Sequence, residues 1–107
     1  MGINNWGPDY ADPMTYLAMW TSDNDQNYGH YHNPKYEAYI ASCLDGELAT
    51  QTQLRWQTLK TAETLLMEDA AIIPLYTQCN ADMIKSNVKN VEFHAVAINR
   101  IYKNATK

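Results

Sequence analysis

One apolar run, Ala70-Ala71-Ile72-Ile73-Pro74-Leu75-Tyr76, constrains the fold of this chain more than any other feature. It is continuous, short, and bounded by Glu68-Asp69 on one side and Thr77-Gln78 on the other. Such a run reads as a strand buried on both faces. Pro74 has no N–H for a ladder, so the strand must bulge, lie at an edge, or stop pairing there. A doubly buried strand needs neighbours, and the preceding sequence offers only helices. Downstream, Val96 to Tyr102 alternates loosely and gives at most one more strand. The expected class is mixed α/β, three helices followed by one or two strands, with the remaining sheet partners in sequence that is not here.

The helices are legible from local signals. Residues 1–10 start extended, with a bend at Gly7-Pro8. Asp12-Pro13 reads as a cap followed by proline at the first helical position, and Tyr16, Leu17 and Trp20 follow at helical spacing, giving a short helix over about 13–20. The polar stretch from Thr21 to His32 reads as a surface loop. Asn33-Pro34 repeats the cap-and-proline signal. Tyr36, Tyr39, Ile40, Cys43 and Leu44 share one face, so the spacing predicts a helix over about 34–44 that ends near Gly46. Thr50 and Gln53 form a capping-box pattern. Leu54, Leu59, Ala62, Leu65 and Leu66 then carry an apolar stripe to Glu68. Residues 81–92 read as a short turn or helix and a link, and the tail Lys103–Lys107 as mobile.

At 107 residues the chain has room for one small domain, and its apolar fraction of 46% is ordinary. The net charge is −4 with 8 Lys and Arg, and no basic stretch is dense enough to neutralise phosphates, which argues against nucleic acid. No apolar run approaches the roughly 20 residues of a membrane span. The first ten residues, MGINNWGPDY, lack the charged and apolar regions of a signal peptide. Cys43 and Cys79 have no metal-ligand spacing; they read as two small buried apolar residues, with a disulfide between them left open.

The chemistry concentrates in Trp6-Gly7-Pro8-Asp9-Tyr10-Ala11-Asp12-Pro13, which sets an indole, two carboxylates and a phenol around a bend. Asp12 and Pro13 are accounted for by starting the helix, with Trp6 and Tyr10 packing beside it. Asp9 lies outside the helix and lacks that explanation. Asp9 and Asp12 as an acid–base pair would need a nucleophile or second base, and none accompanies them, so an enzyme is not expected. His30 and His32 supply only two metal ligands and read as part of a solvated loop; Asp23, Asp25 and Asn27 resemble the start of a calcium loop whose glycine and final acid are misplaced. No metal or cofactor is expected.

The pattern W-x-x-D-Y-x-D-P followed by T-x-L resembles a signature of the oligopeptide- and dipeptide-binding proteins of peptide ABC importers (solute-binding protein family 5). The resemblance continues in order through N-Y-G-H-Y-x-N-P-x-Y-E, R-W-x-x-L-K-x-A-E-x-L-L, D-A-A-I-I-P-L-Y and N-V-K-N-V, from about Asn5 to Lys103. It implies the C-terminal fragment of a two-lobed, periplasmic-binding-protein-like (type II) fold. Residues 1–69 would belong to the distal ligand-binding lobe, and residues 70–107 would cross the hinge and return to the first lobe. It also implies that Asp9 pairs with the α-amino group of a bound short peptide, that Trp6 lines the cleft with Tyr10 beside it, and that the backbone at Asn5 and Gly7 pairs with the peptide main chain. Some members of the family carry arginine three residues before the tryptophan, where this sequence has Ile3. The expected partners are a short peptide with a free N-terminus and ABC permease subunits; the expected location is the periplasm or the cell surface as a lipoprotein. A same-family receptor for a nickel chelate or an oligosaccharide is one alternative. Another is a structural or interaction fragment with no ligand of its own, self-associating through its uncovered strand.

Overall fold

A computed structural model describes residues 2–96 and 98–107. The element order is α1 (Met14–Leu17) continued by a 3-10 turn (Ala18–Trp20), α2 (Pro34–Leu44), α3 (Thr52–Glu68), β1 (Glu92–Phe93) and β2 (Arg100–Ile101). The three helices pack on one another. Met14 and Leu17 of α1, Tyr36, Ile40 and Cys43 of α2, and Leu59, Ala62 and Leu66 of α3 form one buried cluster. No described residue after Leu66 is buried. The radius of gyration is 17.8 Å, against about 13 Å for a compact chain of this length. The last third of the chain therefore extends away from the helical core.

Local chemistry explains each helix. Asn33 caps α2: its side-chain oxygen accepts from the Lys35 and Tyr36 N–H groups, and Pro34 opens the first turn. The helix bounds match the sequence expectation. Tyr36 is fully buried, and its hydroxyl donates to the Leu17 carbonyl at 2.7 Å, pinning α1 to α2. Burial, with the charge interaction of the nearby Tyr31 phenol, pushes the Tyr36 phenol well up from 10.0. Leu44, expected on the buried face, is half exposed. After α2 the chain doubles back so tightly that a Cβ on Gly46 would lie 2.6 Å from the Ser42 backbone. Loop 21–32 is organised by one buried amide. Asn27 donates to the Thr21 and Tyr31 carbonyls and accepts from the Tyr31 N–H.

The capping box at Thr50 and Gln53 does not form. Two tight turns, Ala49 N–H to Gly46 O and Gln51 N–H to Leu48 O, carry the chain one residue further. Gln51 then occupies the cap without a side-chain bond to the helix, and its amide donates to the Glu47 carbonyl instead. Leu54 in the first turn of α3 is exposed, so the buried stripe begins at Leu59.

Helix α3 ends in a Schellman motif: Ala71 N–H bonds Leu66 O and Ala70 N–H bonds Met67 O. Ala70 supplies the left-handed residue, at φ 51°, where glycine is the usual occupant because a Cβ is crowded there. Ala70→Gly is therefore expected to stabilise the helical core by about 0.5–1 kcal/mol, read as a raised midpoint in urea. A lowered midpoint would show that glycine's gain in unfolded-state entropy outweighs the relief.

Beyond this motif the structure departs from the sequence expectations at several points. The run 70–76 is not a buried strand: it has no regular structure, and Ile73, Leu75 and Tyr76 are 64%, 67% and 84% exposed. Its backbone has no neighbouring strand to pair with among the described residues. Instead of a strand over Val96–Tyr102, a short antiparallel hairpin pairs Glu92 with Ile101 and Phe93 with Arg100. Ala97, within the expected strand, lies outside the described residues. Residues 81–92 hold a turn and the start of this hairpin, with no helix. The tail is not loose: Lys89 and Thr106 exchange both backbone hydrogen bonds. Cys43 is buried, but Cys79 is exposed, and both are free thiols.

Candidate functional site

The segment before α1 is held by residues of α1 and α3. The Trp6 indole N–H donates to the Thr15 carbonyl at 2.9 Å, and the Asp9 backbone N–H donates to the Thr15 hydroxyl oxygen at 3.1 Å. Thr15 is buried in the first helix, so it offers a fixed anchor to both. Asp12 folds the chain into α1: its N–H donates to the Tyr10 carbonyl, and its carboxylate accepts from the Met14 N–H at 2.8 Å. The same carboxylate receives two bonds from the Arg55 guanidinium, at 2.7 and 2.9 Å. Arg55 Nε donates to the Cys43 carbonyl at 2.9 Å. One guanidinium of α3 thus joins the start of α1 to the end of α2. The Arg55 hydrogen bond, with help from the Met14 N–H and the guanidinium charge, outweighs burial and holds the Asp12 carboxyl below its usual 3.8.

Within this frame the two acids differ. Asp12 is engaged on both oxygens. Asp9 is exposed, and its carboxylate has no hydrogen-bond or ion-pair partner among the described residues. Trp6 is half-buried and Tyr10 is 48% exposed, so Tyr10 does not pack as core. Asn5, Trp6 and Gly7 make no backbone-to-backbone hydrogen bond among the described residues. The Asn5 N–H is taken by the Asn4 side chain, and the Asn5 amide donates to Gln78 at 3.0 Å, bridging the first segment to the extended chain after α3. A Cβ on Gly7 would meet nothing within 4 Å, which leaves its backbone accessible.

The structure ties the Trp6 indole and the Asp9 backbone to Thr15, and Asn5, Gly7 and Tyr10 are each exposed. Two residues central to this arrangement, Thr15 and Arg55, were visible in the sequence only as members of motifs. Two open grooves lie elsewhere. One of about 350 Å³ runs between α1 and α3 beside Trp56, and one of about 300 Å³ lies under the hairpin beside Met83 and Phe93. Neither is lined by Trp6 or Asp9. His32 faces Glu37 at 3.0 Å, and the Tyr31 hydroxyl and Asn33 amide both donate to Asp69 at 2.7 Å. Burial first, then the Asp69 carboxylate, pushes the Tyr31 phenol up to about 12.

No family model matches the chain. Its relatives are specific nonetheless. It is 36% identical over 80 residues to the periplasmic oligopeptide-binding protein OppA of Salmonella typhimurium, across 75% of this chain and 14% of that protein. It superposes on the substrate-binding domain of an oligopeptide ABC transporter from Bacillus anthracis with a TM-score of 0.83 and 42% identity, over 94% of this chain and 19% of that one. It superposes on the pheromone receptor PrgZ, solved for its mode of peptide binding, with a TM-score of 0.79 and 33% identity, over 94% of this chain and 18% of that one. Over most of its length the chain is thus similar to one portion of oligopeptide-binding proteins, and it spans less than a fifth of the length of these relatives. All three are named for peptide binding or oligopeptide transport.

Proposed function

We propose that this chain supplies one wall of a peptide-binding cleft in a receptor that captures short peptides with a free N-terminus and delivers them to an ABC importer. The observation that carries this reading is the Asp9 carboxylate, which is exposed and unpartnered among the described residues while its neighbour Asp12 is saturated. A peptide ammonium is a natural partner for such a group, because a charge-assisted bond closed off from water is among the stronger polar contacts. The backbone at Asn5 and Gly7, which makes no backbone-to-backbone hydrogen bond among the described residues, can accept a peptide main chain as an added strand, the Asn5 N–H exchanging the Asn4 side chain for the ligand, which gives affinity without reading side chains. Trp6 and Tyr10 would flank the ligand. Residues 1–69 would form part of the distal lobe, and residues 70–107 would cross the hinge to the first lobe. The receptor would work in the periplasm or at the cell surface as a lipoprotein, in line with the periplasmic name of the Salmonella relative. Calorimetry of the intact receptor with tri-alanine and N-acetyl-tri-alanine tests the central claim; equal affinities would sink it.

The same reading makes the apolar arm a buried seam in the intact receptor. In the isolated chain Ile73, Leu75 and Tyr76 stay exposed along an unpaired backbone, and such edges pair with other chains. Sedimentation of the isolated chain is expected to show mass rising with concentration, and Ile73→Glu with Leu75→Glu should restore the monomer without loss of helix. A monomer at every concentration would count against the seam.

A further inference from the structure

We propose that Thr15 is the positioning residue of the amine-binding site, fixing the Asp9 backbone through its hydroxyl and the Trp6 indole through its carbonyl. The proposal rests on the reading of Asp9 given above and adds the group that sets where the carboxylate points. Asp9 lies outside regular structure, at the start of the bent segment 9–12 that precedes α1, so a contact from outside that segment is needed to fix it. The Asp9 N–H donates to Thr15 Oγ1 at 3.1 Å, and the indole Nε1–H of Trp6 donates to the Thr15 carbonyl at 2.9 Å. Both end on one residue that is 6% exposed and sits in the first turn of α1. Met14 and Leu17 on either side of it are core residues. The anchor is therefore held by the packed helices, and a shift of α1 would carry acid and indole together. A threonine buried at a helix start is commonly explained as a helix cap, but here the capping oxygen comes from Asp12. The Thr15 hydroxyl is spent on the binding segment instead.

The experiment compares Thr15→Val with Thr15→Ser in the intact receptor. Valine keeps the shape of threonine and removes the acceptor; serine keeps the acceptor. The Asp9 N–H freed by valine is at an exposed residue and can turn to water, so the fold should persist. The bond in question is one neutral hydrogen bond. Its loss is expected to weaken tri-alanine binding about 3- to 12-fold in Thr15→Val, with N-acetyl-tri-alanine affected by less than about twofold and Thr15→Ser close to wild type. A role in stability alone would lower the melting temperature and weaken both ligands equally, and that result overturns the proposal. So does wild-type binding of tri-alanine by a folded Thr15→Val. Asp9→Asn, measured alongside, separates the two levels. Sensitivity to acetylation that is lost in Asp9→Asn but intact in Thr15→Val removes Thr15 alone; absence of that sensitivity in the wild type removes the Asp9 reading and Thr15 with it.

Discussion

Asp9→Asn is expected to weaken binding of tri-alanine to the intact receptor by roughly 2–5 kcal/mol, a factor of about 30 to several thousand in Kd. Asparagine is nearly isosteric with aspartate, and the Asp9 backbone bond to Thr15 is untouched by the change. The exposed carboxylate makes no internal contact among the described residues that the substitution could break, so thermal stability should stay within about 0.5 kcal/mol of wild type, as for most surface changes. What is lost is the ion pair with the peptide ammonium in a site closed off from water. N-acetyl-tri-alanine has no ammonium, so it should bind the wild type poorly and respond little to the substitution. The double cycle of Asp9→Asn against acetylation isolates the pair. A coupling energy near zero, with stability lowered, would show that Asp9 only ties down the Gly7-Pro8 bend.

Helix α2 was legible in the sequence to the residue because all its determinants are local. Asn33, Pro34 and the spacing of Tyr36, Ile40 and Cys43 act within one or two turns. The start of α3 was misread because a capping box competes with whatever turn precedes it, and the turns from Gly46 to Gln51 decide which residue arrives at the cap. The apolar run 70–76 asks for strand neighbours that the described residues do not supply, and in this chain its Ile73, Leu75 and Tyr76 are exposed. Hydrophobic sequence reports what a segment should pack against, whereas strand formation requires that the partner be at hand. The pairing of Lys89 with Thr106 and of Phe93 with Arg100 is likewise a long-range property, and neither short segment alternates strongly enough to announce it.

At the candidate site the residue types were legible and their connections were not. The W-x-x-D-Y-x-D-P cluster marked Trp6, Asp9 and Asp12, and helix-start logic separated Asp12 from Asp9. The structure strengthens that separation with a partner 43 residues away that no local pattern could supply. Thr15 looked like any polar residue in a short helix. Only the fold shows that its two oxygens serve the preceding segment.

Arg55→Ala is expected to destabilise the helical core by about 2–4 kcal/mol, the largest stability effect predicted for a single polar residue here. The guanidinium makes three hydrogen bonds, two to Asp12 and one to the Cys43 carbonyl. Its side chain is only 16% exposed and that of Asp12 30%. Alanine would leave a half-buried carboxylate without its cation and strip the packing of the arginine stem from the junction of α1, α2 and α3. Arg55→Lys keeps the charge but not the fork, and should retain about half of the contribution. The pH dependence gives an independent check. Because the Asp12 carboxyl is held below its usual 3.8 in the folded chain, the pair contributes stability above the unfolded value and loses it as pH falls through the folded one. The gap between wild type and Arg55→Ala should therefore be widest near neutrality and narrow below pH 3.8, leaving the share owed to packing and the Cys43 carbonyl bond. Urea unfolding across that range measures the gap. A gap that stays constant with pH would mean that Arg55 acts through packing and the Cys43 carbonyl, and that the start of α1, with the segment carrying Asp9, does not depend on the ion pair for its position.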